Sequence, residues 1–158
     1  MSEDRQATTQ RSAKPRIIIV DDEAIMLDMM ETLVRDWRQE VTVLRFQDRD
    51  EAWQELLRCD PDLLITDMRS DNVPGRSGDY GMSGFELLKL LAERLVKYPV
   101  LVASGSFSIS GCEGLAKQCA GPHLNVSFLT KPFTKELFLQ ALRQCLGPSG
   151  ETGRGARQ

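Results

Sequence analysis

Five residues with charged or nucleophilic side chains each follow a short apolar run of this sequence. Asp21 and Asp22 follow IIIV, and Asp67 follows LLIT. Ser104 follows VLVA, and Lys131 follows VSFLT. Carboxylates are the hard oxygen ligands that Mg²⁺ prefers, while an ammonium group and a hydroxyl are hydrogen-bond donors for an oxyanion. These residue types together indicate chemistry on a phosphoryl group with the help of a divalent metal ion.

Each of these residues also has an ordinary structural interpretation when it is taken alone. Asp21 or Asp22 can cap a helix, and Asp67 can open a turn. Ser104 can be a small loop residue, and Lys131 can be a solvated surface charge. The combination is harder to explain, because carboxylates about 5 Å apart at an effective dielectric of about 20 repel by roughly 3 kcal/mol for each pair. A bound cation would offset that repulsion.

The apolar runs are predicted strands, and they fall at residues 17–20, 41–46, 63–66, 100–103 and 126–130. The first, third and fourth are continuously apolar, which is typical of strands buried on both faces of a parallel sheet. The second carries Arg45, as an edge strand would.

Helical patterns separate the strands, and this alternation predicts an α/β fold: a doubly wound, five-stranded parallel sheet with helices on both faces. Ligands bind such sheets at the carboxyl ends of the strands, so the five residues are expected to meet there.

The helical patterns carry recognisable start signals. Ser83 and Glu86 form a capping box before the third helix, and Thr134 begins the fifth. The fourth is the weakest, because Gly111 and Gly114 each cost about 1 kcal/mol relative to alanine. Apolar residues on one face of the helices are predicted to be buried: Met26, Met30, Leu33, Val34, Trp37, Ala52, Trp53, Leu56, Leu57, Phe85, Leu88, Leu91, Ala92, Leu95, Leu137, Ala141, Leu142 and Cys145.

Length and composition predict one domain with its own core. The chain has 158 residues, 41% of them hydrophobic, and a formal net charge of −3. We assign the domain to residues 16–146, with an inserted loop at 68–83. Residues 1–15 and 147–158 are predicted to be disordered tails, because they have too few apolar residues to offset the entropy of ordering.

Several cellular contexts and partners are not expected from the sequence. Neither a signal peptide nor an apolar run long enough for a bilayer is present. The four cysteines lack C-x-x-C spacing, so reduced thiols and a cytoplasmic location are predicted. Charges of both signs are dispersed without a basic stripe, so no nucleic-acid or membrane partner is expected.

The motifs resemble those of the receiver domain of two-component response regulators. VDDE follows the first strand, TDM the third, ASG the fourth and LTKPF the fifth, while MSG opens the third helix. The resemblance spans the whole predicted domain. It implies the flavodoxin-like strand order 2-1-3-4-5 and a stand-alone, chemotaxis-regulator-like protein in two-component signal transduction.

The resemblance also implies roles for matching residues. Asp67 would be the phosphoacceptor, whose carboxylate attacks the phosphorus of a kinase phosphohistidine in a Mg²⁺-dependent reaction. Asp22 would bind Mg²⁺ directly, Asp21 through water, and the backbone carbonyl of Arg69 would be a further ligand. Lys131 would pair with a phosphoryl oxygen.

Two more positions match residues that respond to phosphorylation in this family. Ser104 would donate a hydrogen bond to the phosphoryl group. Phe128 would be the switch aromatic, which turns inward as Ser104 moves, although strand periodicity alone equally predicts an ordinary inward residue. The peptide bond before the proline that matches Pro132 is cis in the family.

The sequence departs from the family pattern between Asp67 and Gly84, where it has additional residues rich in glycine. This insertion leaves the alignment of Arg69 open. The added stretch is either a tolerated surface insertion, which costs little closure entropy, or a lid that places Arg69 or Arg76 near the phosphoryl site and shields the attacking water with Tyr80.

Three other classes of protein are weighed against this interpretation. A nucleotide- or flavin-binding protein needs a Gly- or hydroxyl-rich phosphate loop where this chain has DDEAIM. An aspartate-nucleophile phosphatase needs a second acid beside Asp67, and the following Met68 and Arg69 do not supply one. A pseudo-receiver, which works without phosphorylation, is disfavoured by the complete set of site residues and stays open as the alternative.

The partners are implied by the family. The phosphodonor would be a histidine kinase or a phosphotransfer protein, and the cofactor would be Mg²⁺. The protein is expected to catalyse only its own phosphorylation and dephosphorylation. Because no effector domain is predicted after residue 146, output is expected through contact of a target with the fourth helix, fifth strand and fifth helix, or through a phosphorelay.

Overall fold

The computed structural model describes residues 14–68, 82–105 and 112–147, apart from the side chains of residues 112, 113 and 115. Strands and helices alternate along the chain, as predicted, and each predicted strand agrees with the structure to within one residue at either end. The elements are β1 (Arg16–Val20), α1 (Ala24–Trp37), β2 (Thr42–Phe46), α2 (Arg49–Arg58), β3 (Leu63–Thr66), α3 (Gly84–Glu93), β4 (Val100–Ser104), α4 (Cys112–Ala120), β5 (Val126–Thr130) and α5 (Lys135–Leu146).

The five strands form one parallel sheet with the order β2-β1-β3-β4-β5, which confirms the predicted fold class. The strands end nearly level with one another, since Val20 pairs with Phe46 on one side and with Thr66 on the other. On the far side of β3, Thr66 pairs with Val102. The carboxyl ends of the central strands therefore lie side by side along one edge.

Two apolar clusters cover the two faces of the sheet. Ile17 and Ile19 pack with residues of α1 and α5, while Ile18 and Val20 pack with residues of α2, α3 and α4. All four side chains are buried, so β1 is covered on both faces as its continuous apolar run predicts. β2 and β5 are the edge strands, and most of their side chains are only half-buried.

The predicted helix start signals are found in the structure. Ser83 Oγ accepts a hydrogen bond from the Glu86 amide at 3.1 Å, and Glu86 Oε1 accepts one from the Ser83 amide at 3.0 Å. Thr134 Oγ1 accepts a hydrogen bond from the Leu137 amide at 3.1 Å. Gly147 ends α5 with a φ of 96°, a left-handed conformation that favours glycine.

Three leucines that were predicted to be buried are exposed: Leu57 by 41%, Leu95 by 61% and Leu137 by 49%. Successive helical residues point about 100° apart, and Leu57 points away from the face on which Leu56 is buried. In α5, Phe138 is buried instead. Leu95 lies beyond the end of α3, and its φ of 56° takes it off the helical face.

The predicted tails lie mostly outside the described residues, at 1–13 and 148–158. Pro15 and Gly147, which the predicted boundaries placed in the tails, form hydrogen bonds with the folded domain. The Pro15 carbonyl accepts from the Thr42 amide at 2.8 Å, and the Gly147 amide donates to the Arg143 carbonyl at 2.8 Å.

Among the described residues, each helix is too short or too polar to span a bilayer. Cys59, Cys119 and Cys145 are free thiols.

Candidate functional site

Three carboxylates meet at the carboxyl edge of the sheet. Oxygen atoms of Asp21, Asp22 and Asp67 all lie within 4.8 Å of one another. Asp21 is 1% exposed and Asp67 is 7% exposed, while Asp22 is half-buried. The sheet itself positions two of them, because the Asp21 amide donates to the Phe46 carbonyl and the Asp67 amide donates to the Val20 carbonyl. The structure thus brings the three predicted carboxylate ligands together.

Lys131 reaches the same cluster from the end of β5. Its Nζ atom donates to Asp21 Oδ2 at 2.7 Å and lies 3.6 Å from Asp67 Oδ1. Asp21 Oδ1 accepts a second hydrogen bond, from the Glu23 amide at 2.9 Å. The Lys131–Pro132 peptide bond is cis, as the resemblance implied. One ammonium group therefore bridges two of the carboxylates.

Ser104 and Phe128 lie on the last two strands. Ser104 is buried, and its Oγ atom donates to the Met68 carbonyl at 2.9 Å. Phe128 is half-buried and packs against the cluster on the α2, α3 and α4 face, with Lys117 Nζ 5.7 Å from its ring centroid. Ser104 thus contacts the residue after Asp67, while the switch role of both residues stays a prediction.

Gly84 packs directly against the end of β3. A Cβ atom added at Gly84 would lie 2.6 Å from Met68 Sδ and 3.0 Å from the Asp67 carbonyl oxygen. Glycine is therefore needed here for a close approach of two backbones. The predicted metal ligand Arg69 and the predicted lid residues Arg76 and Tyr80 lie outside the described residues.

Comparison of the sequence with models of protein families identifies the family of this chain. The response regulator receiver domain family matches residues 17–143 of the chain. The chain belongs to this family. The strand order of this chain, β2-β1-β3-β4-β5, is the order that the resemblance implied.

Individual relatives of this receiver domain agree with the assignment. The chain is 23% identical over 129 residues to the sensory transduction protein LytT of Bacillus subtilis (strain 168), an overlap that covers 82% of the chain and 47% of LytT. The chain thus spans about half the length of that relative.

Solved structures show the same fold. The signal receiver domain of NarL from Mycobacterium tuberculosis superposes with a TM-score of 0.66 at 20% identity, covering 84% of this chain and 95% of that one. The chemotaxis response regulator CheY4 of Vibrio cholerae superposes with a TM-score of 0.64 at 23% identity, covering 84% of this chain and 99% of that one.

Within the described ranges, the site of this receiver domain also includes a charged residue that the sequence patterns did not identify, Arg49. Arg49 is the first residue of α2, and its Nη2 atom donates to the Asp67 carbonyl at 2.8 Å and lies 3.8 Å from Asp67 Oδ2. Its Nη1 atom donates to the Met82 carbonyl at 3.4 Å. A basic residue at a helix N-terminus opposes the helix dipole. That unfavourable position is the one unusual feature of Arg49 in the sequence, and it does not by itself assign the residue to the site.

Burial controls the electrostatics of the receiver site. It raises the pKa of Asp67, as does the nearby charge of Asp21, while Lys131 and Arg49 act in the opposite direction. Burial also lowers the pKa of Arg49, against the attraction of Asp67, Asp21 and Asp48. Carboxylates thus face cations in a largely desolvated space, where their interactions are stronger than in water.

The charge balance of the site leaves room for a metal ion. Among the residues that the structure describes, the three carboxylates of Asp21, Asp22 and Asp67 meet two cations, Lys131 and Arg49. The donors are hard carboxylate oxygens within a small radius, which is the chemistry that Mg²⁺ prefers. The residues present therefore fit this ion.

Proposed function

We propose that this receiver domain accepts a phosphoryl group on Asp67 from a histidine kinase or phosphotransfer protein, in a Mg²⁺-dependent reaction. The observation that carries the proposal is the position of the Asp67 carboxylate. It lies at the carboxyl edge of the sheet, 3.6 Å from the ammonium group of Lys131 and within reach of two further carboxylates. Membership of the receiver family supports the same chemistry.

Each residue of the site would have its own role in one displacement reaction at phosphorus. A carboxylate oxygen of Asp67 attacks phosphorus, the bond from phosphorus to the donor imidazole nitrogen breaks, and the electron pair stays on that nitrogen. Lys131 would pair with a phosphoryl oxygen. Asp21, Asp22, Asp67 and the carbonyl of Arg69 would hold Mg²⁺, which when bound neutralises charge on the phosphoryl oxygens.

The phosphorylated domain would signal by contact. Ser104 would exchange its hydrogen bond to the Met68 carbonyl for one to the phosphoryl group, and Phe128 would move inward. The surface formed by α4, β5 and α5 would then bind a target protein, or the phosphoryl group would pass on in a relay. The same proposal has two further parts: the protein acts as a stand-alone regulator, and it acts in the cytoplasm.

The test is chemical phosphorylation of the purified protein. With acetyl phosphate and Mg²⁺, intact-mass analysis should show the gain of one phosphoryl group, which is stable in acid and labile in base. Asp67→Asn should abolish the gain. Asp62→Asn is the matched control, because this exposed carboxylate at the start of β3 accepts from the Arg16 amide, at the opposite end of β1.

Two outcomes would contradict the proposal. Labelling that persists in Asp67→Asn would place the acceptor elsewhere. A wild-type protein that stays unlabelled by acetyl phosphate and by phosphorylated kinases would favour the alternative, a receiver that binds its partner without phosphorylation.

A further inference from the structure

The two oxygen atoms of the Asp67 carboxylate face two different cations. Oδ1 lies 3.6 Å from Lys131 Nζ, and Oδ2 lies 3.8 Å from Arg49 Nη2. Lys131 comes from the end of β5, whereas Arg49 comes from the start of α2. The acceptor carboxylate is therefore flanked by positive charge on two sides.

Arg49 is also held firmly where it lies. Its side chain is only 9% exposed, and its Nη atoms donate to the carbonyls of Asp67 and Met82. Asp50, the next residue of α2, accepts a hydrogen bond from the Met82 amide at 3.2 Å. The first turn of α2 thus fixes the guanidinium group against the acceptor residue itself.

The burial of Arg49 is not fully compensated within the described part of the chain. Its Nε atom is buried and has no hydrogen-bond partner there, and its two hydrogen bonds to carbonyls use two of five N–H donors. Burying a guanidinium group with unused donors costs several kcal/mol. A neutral side chain could donate hydrogen bonds to the same two carbonyls with a smaller desolvation penalty. The positive charge of Arg49 therefore requires a separate explanation.

We propose that Arg49 is a second phosphoryl-binding residue of this site, which takes oxygen atoms of the phosphoryl group on Asp67 on the side away from Lys131. The inference rests on the proposed function. A planar guanidinium group presents paired donors that match phosphoryl oxygens, and such charge-assisted bonds are about twice as strong as neutral ones. The unused donors of Arg49 would be satisfied when the acceptor is phosphorylated.

A second effect follows for the metal ion. Arg49 adds positive charge beside the carboxylates that would hold Mg²⁺, so it weakens the binding of that ion. Removing the charge should slow phosphorylation and, at the same time, tighten Mg²⁺ binding. A residue with a purely structural role would not produce this pair of opposite effects.

The test compares Arg49→Gln, which keeps a hydrogen-bond donor and loses the charge, with Arg49→Lys, which keeps the charge. Arg45→Gln is the matched control, because Arg45 pairs with Asp28 and Glu31 of α1. Arg49→Gln should slow labelling by acetyl phosphate at saturating Mg²⁺ at least about tenfold. Calorimetry should show its Mg²⁺ affinity raised several-fold, while Arg49→Lys and Arg45→Gln keep the wild-type affinity.

A measurement on the wild-type protein guards against a variant that fails to fold. Beryllofluoride, a mimic of the phosphoryl group, should shift the Nε–H resonance of Arg49 in a side-chain NMR spectrum. An unmoved Arg49 resonance beside shifted Asp67 and Lys131 signals would overturn the proposal, and so would Arg49→Gln with wild-type labelling and Mg²⁺ affinity. If no signal of the site moves and the wild type is never labelled, the proposed function itself fails.

Discussion

Lys131 Nζ lies 2.7 Å from Asp21 Oδ2, and this bond joins two residues that are 110 positions apart in the chain. Asp21 is almost fully buried, and Lys131 is largely so. The bond gives a buried carboxylate its cation and orients the ammonium group toward Asp67, so removing one partner would leave an uncompensated buried charge. The same contact therefore serves both stability and the site.

Removing the lysine should expose this double role. Lys131→Met leaves the Asp21 carboxylate buried without its cation, so the free energy of unfolding should fall by about 2–3 kcal/mol. Urea denaturation measures the loss. In the double variant Asp21→Asn, Lys131→Met, part of that loss should be recovered, with a coupling energy of about 1 kcal/mol or more. Strictly additive effects would show that the two residues do not stabilise each other.

The raised pKa of Asp67 predicts how stability depends on pH. A carboxyl group whose pKa is raised in the folded state favours folding when it is protonated at low pH, and that contribution is lost as the pH rises through the folded pKa. At neutral pH and without metal, Asp67→Asn should therefore melt about 3 °C higher than the wild type, which corresponds to about 1 kcal/mol for a domain of this size.

This difference in melting temperature should shrink as the pH falls below the folded pKa of Asp67. Asp36→Asn is a suitable control, because its exposed pair with Lys135 contributes little to stability. If Asp67→Asn melts at or below the wild-type temperature at neutral pH, burial of the Asp67 charge does not destabilise the fold.

The metal site makes a separate prediction. Mg²⁺ should raise the melting temperature because it binds the folded state, with a gain of about 2.7 kcal/mol at 100 times the dissociation constant. Asp22→Asn should remove most of this response, since it removes a ligand. Asp28→Asn should keep it, because Asp28 pairs with Arg45 instead. A wild-type melting curve that millimolar Mg²⁺ leaves unchanged would rule out the metal site.

Two glycines should respond to alanine with opposite signs. Gly84→Ala forces a Cβ atom against Met68 and the Asp67 carbonyl, so it should lower the free energy of unfolding by about 1–3 kcal/mol. Gly114 lies in α4, and a Cβ atom added there would meet open space, so Gly114→Ala should raise it by about 0.5–1 kcal/mol. Thermal denaturation measures both changes. If the two substitutions change the free energy of unfolding equally, the contact of Gly84 with Met68 and the Asp67 carbonyl is not tight.

The elements and the edge that carries the site could be predicted because they depend on local patterns. Continuous apolar runs identify buried parallel strands, and the residues directly after them must lie at one edge of the sheet. The orientation of the helices was less predictable. Leu137 and Phe138 are both apolar, and only the packing of α5 on the sheet decides that Phe138 is the buried one.

Arg49 could not be assigned from the sequence for a different reason. Its role depends on the distance from the first turn of α2 to the end of β3, which no spacing in the chain specifies. A basic residue beside Asp48 and Asp50 is ordinarily a solvated surface charge. Only the tertiary structure shows that its guanidinium group turns inward to the Asp67 carbonyl.

The bond between Lys131 and Asp21 also bears on protein synthesis. As the chain leaves the ribosome, Asp21 and Asp67 emerge first, and Lys131 follows only after β5 has been translated. A nascent chain that stops before β5 therefore contains the Asp67 carboxylate without the ammonium group of Lys131. If the proposed function holds, the site would be complete only once β5 has joined the sheet, and a shorter nascent chain would lack one of its phosphoryl-binding groups.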